Sequence, residues 1–293
     1  MFQQVAILFS LGCVIIATAL SIYLIYMHMS HYTNPEQQKH LVRIILMVPI
    51  FAVDSWCSLW FNDLSLYFDV ARDCYEAVVL WEFFALLMSY LGGEEQVQQL
   101  LKTKPPMKHP FPFCFAPPFV PSARRFLARC KQCILQYVVI MPTCAIVTFI
   151  LEVVGVFCNG EFRFTRGYLY ITFILNVSVT VSLYFLVLFY ITVEEELKPY
   201  KPLPKFIAIK AILFFSFWQA VFLSFLAAIG IIKPFKDWNT TDVGATIDNF
   251  LITLEMMVIA VCHRDIFPWE PYDYVVLGVN GQPVTQEDSD VQP

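Results

Sequence analysis

Acidic side chains lie inside several long apolar runs of this sequence, where an ionisable group is costly and normally faces other protein rather than lipid. The last run is the most informative, because Gly244, Asp248, Leu251 and Glu255 follow one another at intervals of four, three and four residues. That spacing places them on one face of a helix. Two carboxylates on one face, one near a mouth and one near the centre, suit a polar pathway or a proton-linked site.

Other runs contribute groups of the same kind. Arg72 and Glu76 are four residues apart, a spacing that predicts an ion pair at the end of the third run. The alternative interpretation is that the polar groups hold helices together by interhelical hydrogen bonds. The residues predicted to line a polar path are Asp54, Glu76, Glu82, Asn176, Gln219, Asp248 and Glu255.

The elements that carry these groups are long enough to cross a bilayer. The chain has 293 residues, of which 58% are hydrophobic and 15% charged, whereas soluble domains are nearer one quarter charged. A helical span needs roughly 20 mostly apolar residues. We therefore predict an all-α polytopic membrane protein, with seven transmembrane helices in one bundle over residues 1–265, near 5–27, 42–61, 71–91, 134–155, 167–193, 206–232 and 243–262.

The basic residues predict an orientation. Lys and Arg concentrate in the segments after the first, third, fifth and seventh runs, and the basic side is normally cytosolic. The N-terminus is then outside, the first run is a retained span, and the C-terminus is cytosolic. Residues 92–133 form a cytosolic loop, Pro-rich and then basic, and 266–293 a tail, interfacial and then disordered. Asn239 heads a glycosylation sequon on the outer side.

The cysteines allow several interpretations. Cys114, Cys130 and Cys133 lie in or beside the cytosolic loop, so they are candidates for acylation or simple free thiols. Cys74 and Cys158 are both predicted near the outer face, where an oxidising compartment would permit a disulfide.

Other classes of chemistry are disfavoured. His28 and His31 share a helical face but no acidic residue lies beside them, so we interpret them as interfacial histidines rather than metal ligands. There is no Lys/Arg-rich stretch typical of nucleic-acid binding. We expect neither an enzyme nor a resident cofactor or metal.

Short motifs resemble those of a known family. The segments 67–69, 72–77 and 90–94 around the third run are similar to the organic solute transporter alpha-subunit family, in particular its transmembrane protein 184 branch. Further similar segments lie at 31–35, 43–50, 54–56, 167–170, 215–219, 249–252 and 255–256. The resemblance implies a seven-helix protein that moves organic solutes, bile-acid or steroid-like in the best-known branch. It also implies acylation of a Cys-rich segment, but this chain has only Cys114 at 109–115.

Two functions follow as hypotheses. The first is a facilitative or proton-linked carrier of amphipathic organic or sterol-like solutes or lipids, acting among membrane lipids as a homo-oligomer or with a single-span partner subunit. The second is a non-transporting receptor or trafficking scaffold, because residues 274–277 have the form of a tyrosine-based sorting signal. Either would be placed in the plasma membrane or in endosomal or vacuolar membranes.

Overall fold

The fold is helical throughout the part of the chain that can be described. The computed structural model describes residues 2–61, 64–110, 115, 117, 119, 121, 123–157, 164–232 and 240–273. Within these residues the only strand-like pairing is an isolated antiparallel bridge between Met107 and Phe119. The α-helices are α1 (Phe2–Ser30), α2 (Pro35–Ile45), α3 (Met47–Trp60), α4 (Ser65–Tyr90), α5 (Glu94–Thr103), α6 (Ala123–Val153), α7 (Gly167–Thr192), α8 (Glu194–Leu197), α9 (Pro202–Ala228) and α10 (Thr240–Ile266).

Each predicted apolar run coincides with a helix or a broken helix pair. Among the described residues, five segments are long and apolar enough to cross a membrane: Ala6–Ser30, Pro35–Trp60, Arg124–Val153, Gly167–Thr192 and Val243–Ile266. α4 and α5, which meet at a bend of 72°, make a sixth if the pair forms one span. An all-helical membrane protein is therefore confirmed, whereas the count of seven and the orientation stay predictions.

A proline explains the break in the second span. α2 ends at Ile45 and α3 begins at Met47. Pro49 has no N–H to donate to the carbonyl of Ile45, so the regular helical ladder is interrupted just before it. The ladder resumes with Ile50 N–H, which donates to Leu46 O at 3.2 Å.

Glycines produce the turn between α4 and α5. Gly92 and Gly93 have φ of 83° and 95°, a region that glycine adopts without steric cost. The Gly93 N–H donates to Met88 O at 3.0 Å and so closes the end of α4. A side chain at Gly92 would collide with that of Gln96.

The chain divides into two compact units, of which the first holds Met1–Asp69 and Leu203–Pro293. Here α1, α3 and α10 pack against one another. Each presents a buried face with the spacing of three and four residues expected of packed helices. On α1 and α10 these faces include Ser10, Ala17, Ser21, Leu24, His28, Asn249, Met256, Ala260 and His263, and the buried Phe267 follows directly after α10. The opposite side of α1 exposes large apolar side chains suited to lipid, among them Leu8, Ile15, Ile22 and Tyr26.

The second unit, Val70–Pro202, is centred on the pairing of α6 with α7. Gln136 of α6 and Ser178 of α7 bond reciprocally: the Gln136 amide donates to Ser178 O at 2.8 Å, and the Ser178 hydroxyl donates to Gln136 Oε1 at 2.9 Å. α4 joins through Phe84, whose ring meets that of Phe189 edge-on with centroids 5.0 Å apart. α5 packs on α6.

Candidate functional site

The predicted polar face of α10 is present in the first unit. The helix is continuous from Thr240 to Ile266, so Asp248 and Glu255 lie on one face two turns apart. Both side chains are half-buried. The Oε2 atom of Glu255 is fully buried and has no hydrogen-bond partner in the protein. A buried carboxyl oxygen without a partner costs free energy, so it requires a functional explanation or an ordered water.

Gln219 of α9 binds directly to Asp248. Its side-chain Nε2 donates to Asp248 Oδ1 at 2.9 Å and lies 3.2 Å from the Asp248 backbone oxygen. One amide therefore holds both the side chain and the main chain of α10 at this point. Because the amide is neutral, it orients the carboxylate without cancelling its charge. The structure thus brings together two of the residues predicted to line a path.

Asp54 of α3 lies at a depth along the helices similar to that of Asp248 of α10. The indole N–H of Trp56 donates to Ile7 O of α1 at 3.3 Å, and the ring of Phe9 lies 6.1 Å from that of Phe250. Asp54 and Asp248 are each two residues from one of these contacts, so they differ in depth by no more than about one turn, ~5 Å. Asp54 is only 8% exposed.

A second polar region lies in the second unit, on α4. Glu82 is 4% exposed near the middle of the helix. One to two turns nearer the start, Glu76 lies within electrostatic range of the buried Tyr137 of α6. Arg72 Nε is 3.7 Å from Asp73 Oδ1, and the Arg72–Glu76 pair stays a prediction.

Asn176 is placed differently from the other predicted residues. Its side chain is exposed within its unit, and Nδ2 donates to the Thr172 carbonyl of its own helix at 2.8 Å. No described contact of the Asn176 side-chain amide therefore reaches Glu76 or Glu82.

Comparison with known proteins places this arrangement in a family. A model of the family described as organic solute transporter Ostalpha matches residues 6–272. The chain belongs to the organic solute transporter alpha family. It is 40% identical over 272 residues to a transmembrane protein 184 homolog of Dictyostelium discoideum, covering 92% of this chain and 52% of that protein. The chain thus spans about half the length of this curated relative. No solved structure matches it.

The cysteines of this family member differ in accessibility. Cys130 is fully buried at the start of α6, so an acyl chain on its sulfur would require the surrounding helices to separate. Cys133 and Cys74 are half-buried. Cys114, Cys158 and the sequon residue Asn239 lie outside the described residues, so the remaining acylation site, the disulfide and the glycosylation stay predictions.

Ion pairs join the segments that lie next to the predicted spans. Lys131 of α6 pairs with Glu94 at the start of α5, and Lys104 Nζ lies 2.8 Å from Glu196 Oε1 after α7. The ammonium of Lys131, which hydrogen-bonds to the carboxylate, holds the pKa of Glu94 below its usual range. Both pairs lie in the second unit, where one links α6 to α5 and the other links the residue after α5 to α8.

Sequence reasoning missed several polar groups inside the helices. Tyr137 lies in an apolar run, where a phenol suggests only packing. Ser21 and His263 are 1% and 0% exposed, and neither side chain has a hydrogen-bond partner. His28 was expected at an interface, but it is fully buried and its Nε2 lies 3.1 Å from Phe267 O. The heptad spacing of Ser21 and His28 is the signal that would have placed both on the buried face.

Proposed function

We propose that the chain is a carrier of amphipathic organic or sterol-like solutes or lipids, facilitative or proton-linked. It crosses the membrane seven times, with the N-terminus outside and the C-terminus in the cytosol. Membership of the organic solute transporter alpha family supports transport as the class of activity. The seven-span arrangement rests on the apolar runs and on the distribution of Lys and Arg. In this proposal the carrier acts among membrane lipids, as a homo-oligomer or with a single-span partner subunit. It lies in the plasma membrane or in endosomal or vacuolar membranes.

The observation that carries the proposal is the Gln219–Asp248 contact above the unpartnered Glu255 oxygen. Polar groups that serve only to join helices use up their hydrogen-bonding capacity with each other. Here Gln219 and Asp248 do so, but Glu255 retains a buried acceptor two turns further along the same face. That free acceptor is available to a polar group of a solute, to water or to a proton. The first unit therefore provides the polar path, formed by Asp54, Gln219, Asp248 and Glu255.

The charge of the path bears on the substrate. The Gln219 amide that holds Asp248 is neutral, so it adds no positive charge to the path. An anionic solute such as a bile acid meets a smaller barrier among acidic side chains when it travels with a proton. Glu76 and Glu82 give the second unit a separate acidic face, which is also a candidate path lining.

Uptake into proteoliposomes tests this function. The full chain is reconstituted, and a tritiated conjugated bile acid serves as the probe, with empty vesicles as background. We expect saturable uptake that Asp248→Asn lowers on the order of tenfold, since the substitution weakens the hydrogen bond that orients this side chain toward the path, a contact worth about 1 to 2 kcal/mol. Asp265→Asn is the matched control, because Asp265 is exposed at the end of the same helix. Uptake no faster than in empty vesicles, or equal in Asp248→Asn and the wild type, contradicts the proposal.

The receptor or scaffold hypothesis has less support than the carrier hypothesis. Its motif at 274–277 lies outside the described residues. The absence of uptake, together with relocation of the protein on deletion of 274–293, would favour it over the carrier.

A further inference from the structure

We propose that the exposed face at the start of α6 binds the phosphate-bearing headgroup of an anionic phospholipid, through the guanidinium groups of Arg124, Arg125 and Arg129. The ligand is a lipid rather than free phosphate, because the same face of α6 continues as apolar surface. This lipid site lies in the second unit. It goes beyond the proposed carrier function and does not depend on it.

The first observation is a concentration of positive charge that the chain does not neutralise. Residues 96–151 contain seven Lys and Arg side chains and no Asp or Glu. Two of the seven pair with acids from outside this stretch, Lys104 with Glu196 and Lys131 with Glu94. The other five are exposed, and within the described residues none of them forms an ion pair: Lys102, Lys108, Arg124, Arg125 and Arg129. A partner that carries negative charge is therefore complementary to this surface.

Glu94 does not balance the arginines. It lies within electrostatic range of Arg124, but its carboxylate is already hydrogen-bonded to Lys131. The first turn of α6 contains no acidic residue, although the unpaired N–H groups and the dipole at the start of a helix favour negative charge there. Arg124 and Arg125 bring positive charge to this position instead. A bound anion would offset both the arginines and the helix dipole.

The second observation is that the three arginines share a face of α6 with lipid-facing apolar side chains. At 3.6 residues per turn, the arginines occupy an arc of about 140° around the helix. Leu135 and Val139 lie within the same arc and are 42% and 61% exposed. The opposite side of the helix start is buried, through Phe126, Leu127 and Cys130. The positive charge therefore lies directly beyond an apolar surface, as the phosphate of a lipid lies beyond its acyl chains.

The direction and chemistry of the arginine side chains fit a phosphate. The Cα–Cβ bonds of a helix tilt toward its N-terminus, so these side chains extend away from the apolar part of α6. Arg125 and Arg129 are four residues apart, which places their Cβ atoms about 5 to 6 Å from each other. Both guanidinium groups can then reach one phosphate, and each presents paired N–H donors that match its oxygens. A phosphate monoester, with about two negative charges at neutral pH, suits three arginines better than a singly charged phosphodiester.

The third observation is that the loop before α6 is held against the start of this helix. Met107 and Phe119 exchange both backbone hydrogen bonds, at 2.8 and 2.9 Å. The ring of Phe119 stacks on that of Phe126 with centroids 5.4 Å apart. These contacts bring the exposed Lys108, which follows Met107, toward the first turns of α6. Phe115 of the same loop is 96% exposed, and its apolar ring gains free energy on leaving water for the bilayer.

Binding of a lipid that carries a phosphate monoester tests the site. The full chain is purified in neutral detergent micelles, and the probe is phosphatidylinositol 4-phosphate with a fluorophore on one acyl chain, whose anisotropy reports binding. We expect saturable binding that Arg125→Gln/Arg129→Gln weakens on the order of thirtyfold, since each basic residue near a membrane surface contributes about fivefold to affinity. Arg125→Lys/Arg129→Lys keeps the charge but loses the planar fork, so it should weaken binding less than the glutamine pair does.

Lys39→Gln/Lys198→Gln is the matched control, because it makes the same change in net charge but removes cations that are already paired with Glu36 and Glu195. The site predicts wild-type affinity in this control and displacement of the probe by the unlabelled lipid but not by phosphatidylcholine. Equal affinity in the arginine-to-glutamine pair and the wild type, or an equal loss in that pair and the control, overturns the proposal. Displacement by inorganic phosphate or phosphatidylcholine as effective as by the unlabelled lipid also overturns it. Each of these results leaves the carrier function standing, because bile-acid uptake is measured separately.

Discussion

The Gln219 amide donates to Asp248 Oδ1 at 2.9 Å and so joins α9 to the acidic face of α10. Loss of the amide leaves a partly buried carboxylate without this donor, which costs about 1 to 3 kcal/mol. We therefore expect Gln219→Leu to lower both the thermal midpoint of unfolding in detergent and bile-acid uptake. Gln98→Leu is the control, since the hydrogen bond of Gln98 is exposed and reaches only Glu94, one turn away. Equal midpoints for Gln219→Leu and the wild type would show that the contact is not stabilising.

The reciprocal pair Gln136–Ser178 gives a stability prediction in the second unit. Ser178→Ala removes the hydroxyl donor but keeps the backbone carbonyl that accepts from the Gln136 amide, whereas Gln136→Leu removes both hydrogen bonds. A double-mutant cycle should give a coupling energy of about 0.6 kcal/mol, the average for hydrogen bonds between membrane helices. The measurement is unfolding in mixed micelles, and additive effects of the two substitutions would refute the coupling.

Part of this arrangement follows from sequence alone. The spacing of Asp248 and Glu255 predicts their common face, and the helix that carries both is continuous from Thr240 to Ile266. The partner of Asp248 was not predictable, because the choice of neighbouring helices depends on packing between segments far apart in the chain. His28 shows the same limit: the carbonyl that it binds belongs to Phe267, 239 residues away. Tyr137 gave no signal, since its closeness to Glu76 depends on which side of α4 faces α6.

The attachment of α5 should depend on pH. The pKa of Glu94 is lowered in the folded protein by the hydrogen bond from Lys131. The stabilisation is therefore complete above the ordinary glutamate pKa and is lost as the pH falls through the lowered value. The protection factors of the amides of residues 94–103, which correct for the intrinsic effect of pH on exchange, should fall as the pH falls through that window. Lys131→Met should have lower protection factors at neutral pH and a weaker change with pH, whereas identical protection profiles in both proteins would exclude a role for the pair.

Burial predicts which cysteine beside the cytosolic loop accepts an acyl group. Cys133 is half-buried, whereas Cys130 is fully buried. We expect acyl exchange followed by peptide mass spectrometry to find acylation at Cys133 and none at Cys130. An acyl group on Cys130 would mean that the start of α6 opens during or after synthesis.

The central claim is that solute passes along the acidic face of α10. Substitution of Glu255 tests this claim most directly, because one of its carboxyl oxygens is buried without a hydrogen-bond partner. The measurement is the initial rate of bile-acid uptake by proteoliposomes that contain the wild type, Glu255→Gln or Glu255→Leu, with Glu95→Gln on the exposed side of α5 as control. The account predicts that both Glu255 variants fold but lose uptake on the order of tenfold or more, since each removes the carboxylate, whose hydrogen bonds to a solute are worth about 1.5 to 3 kcal/mol. Equal uptake by the folded Glu255 variants and the wild type would contradict it.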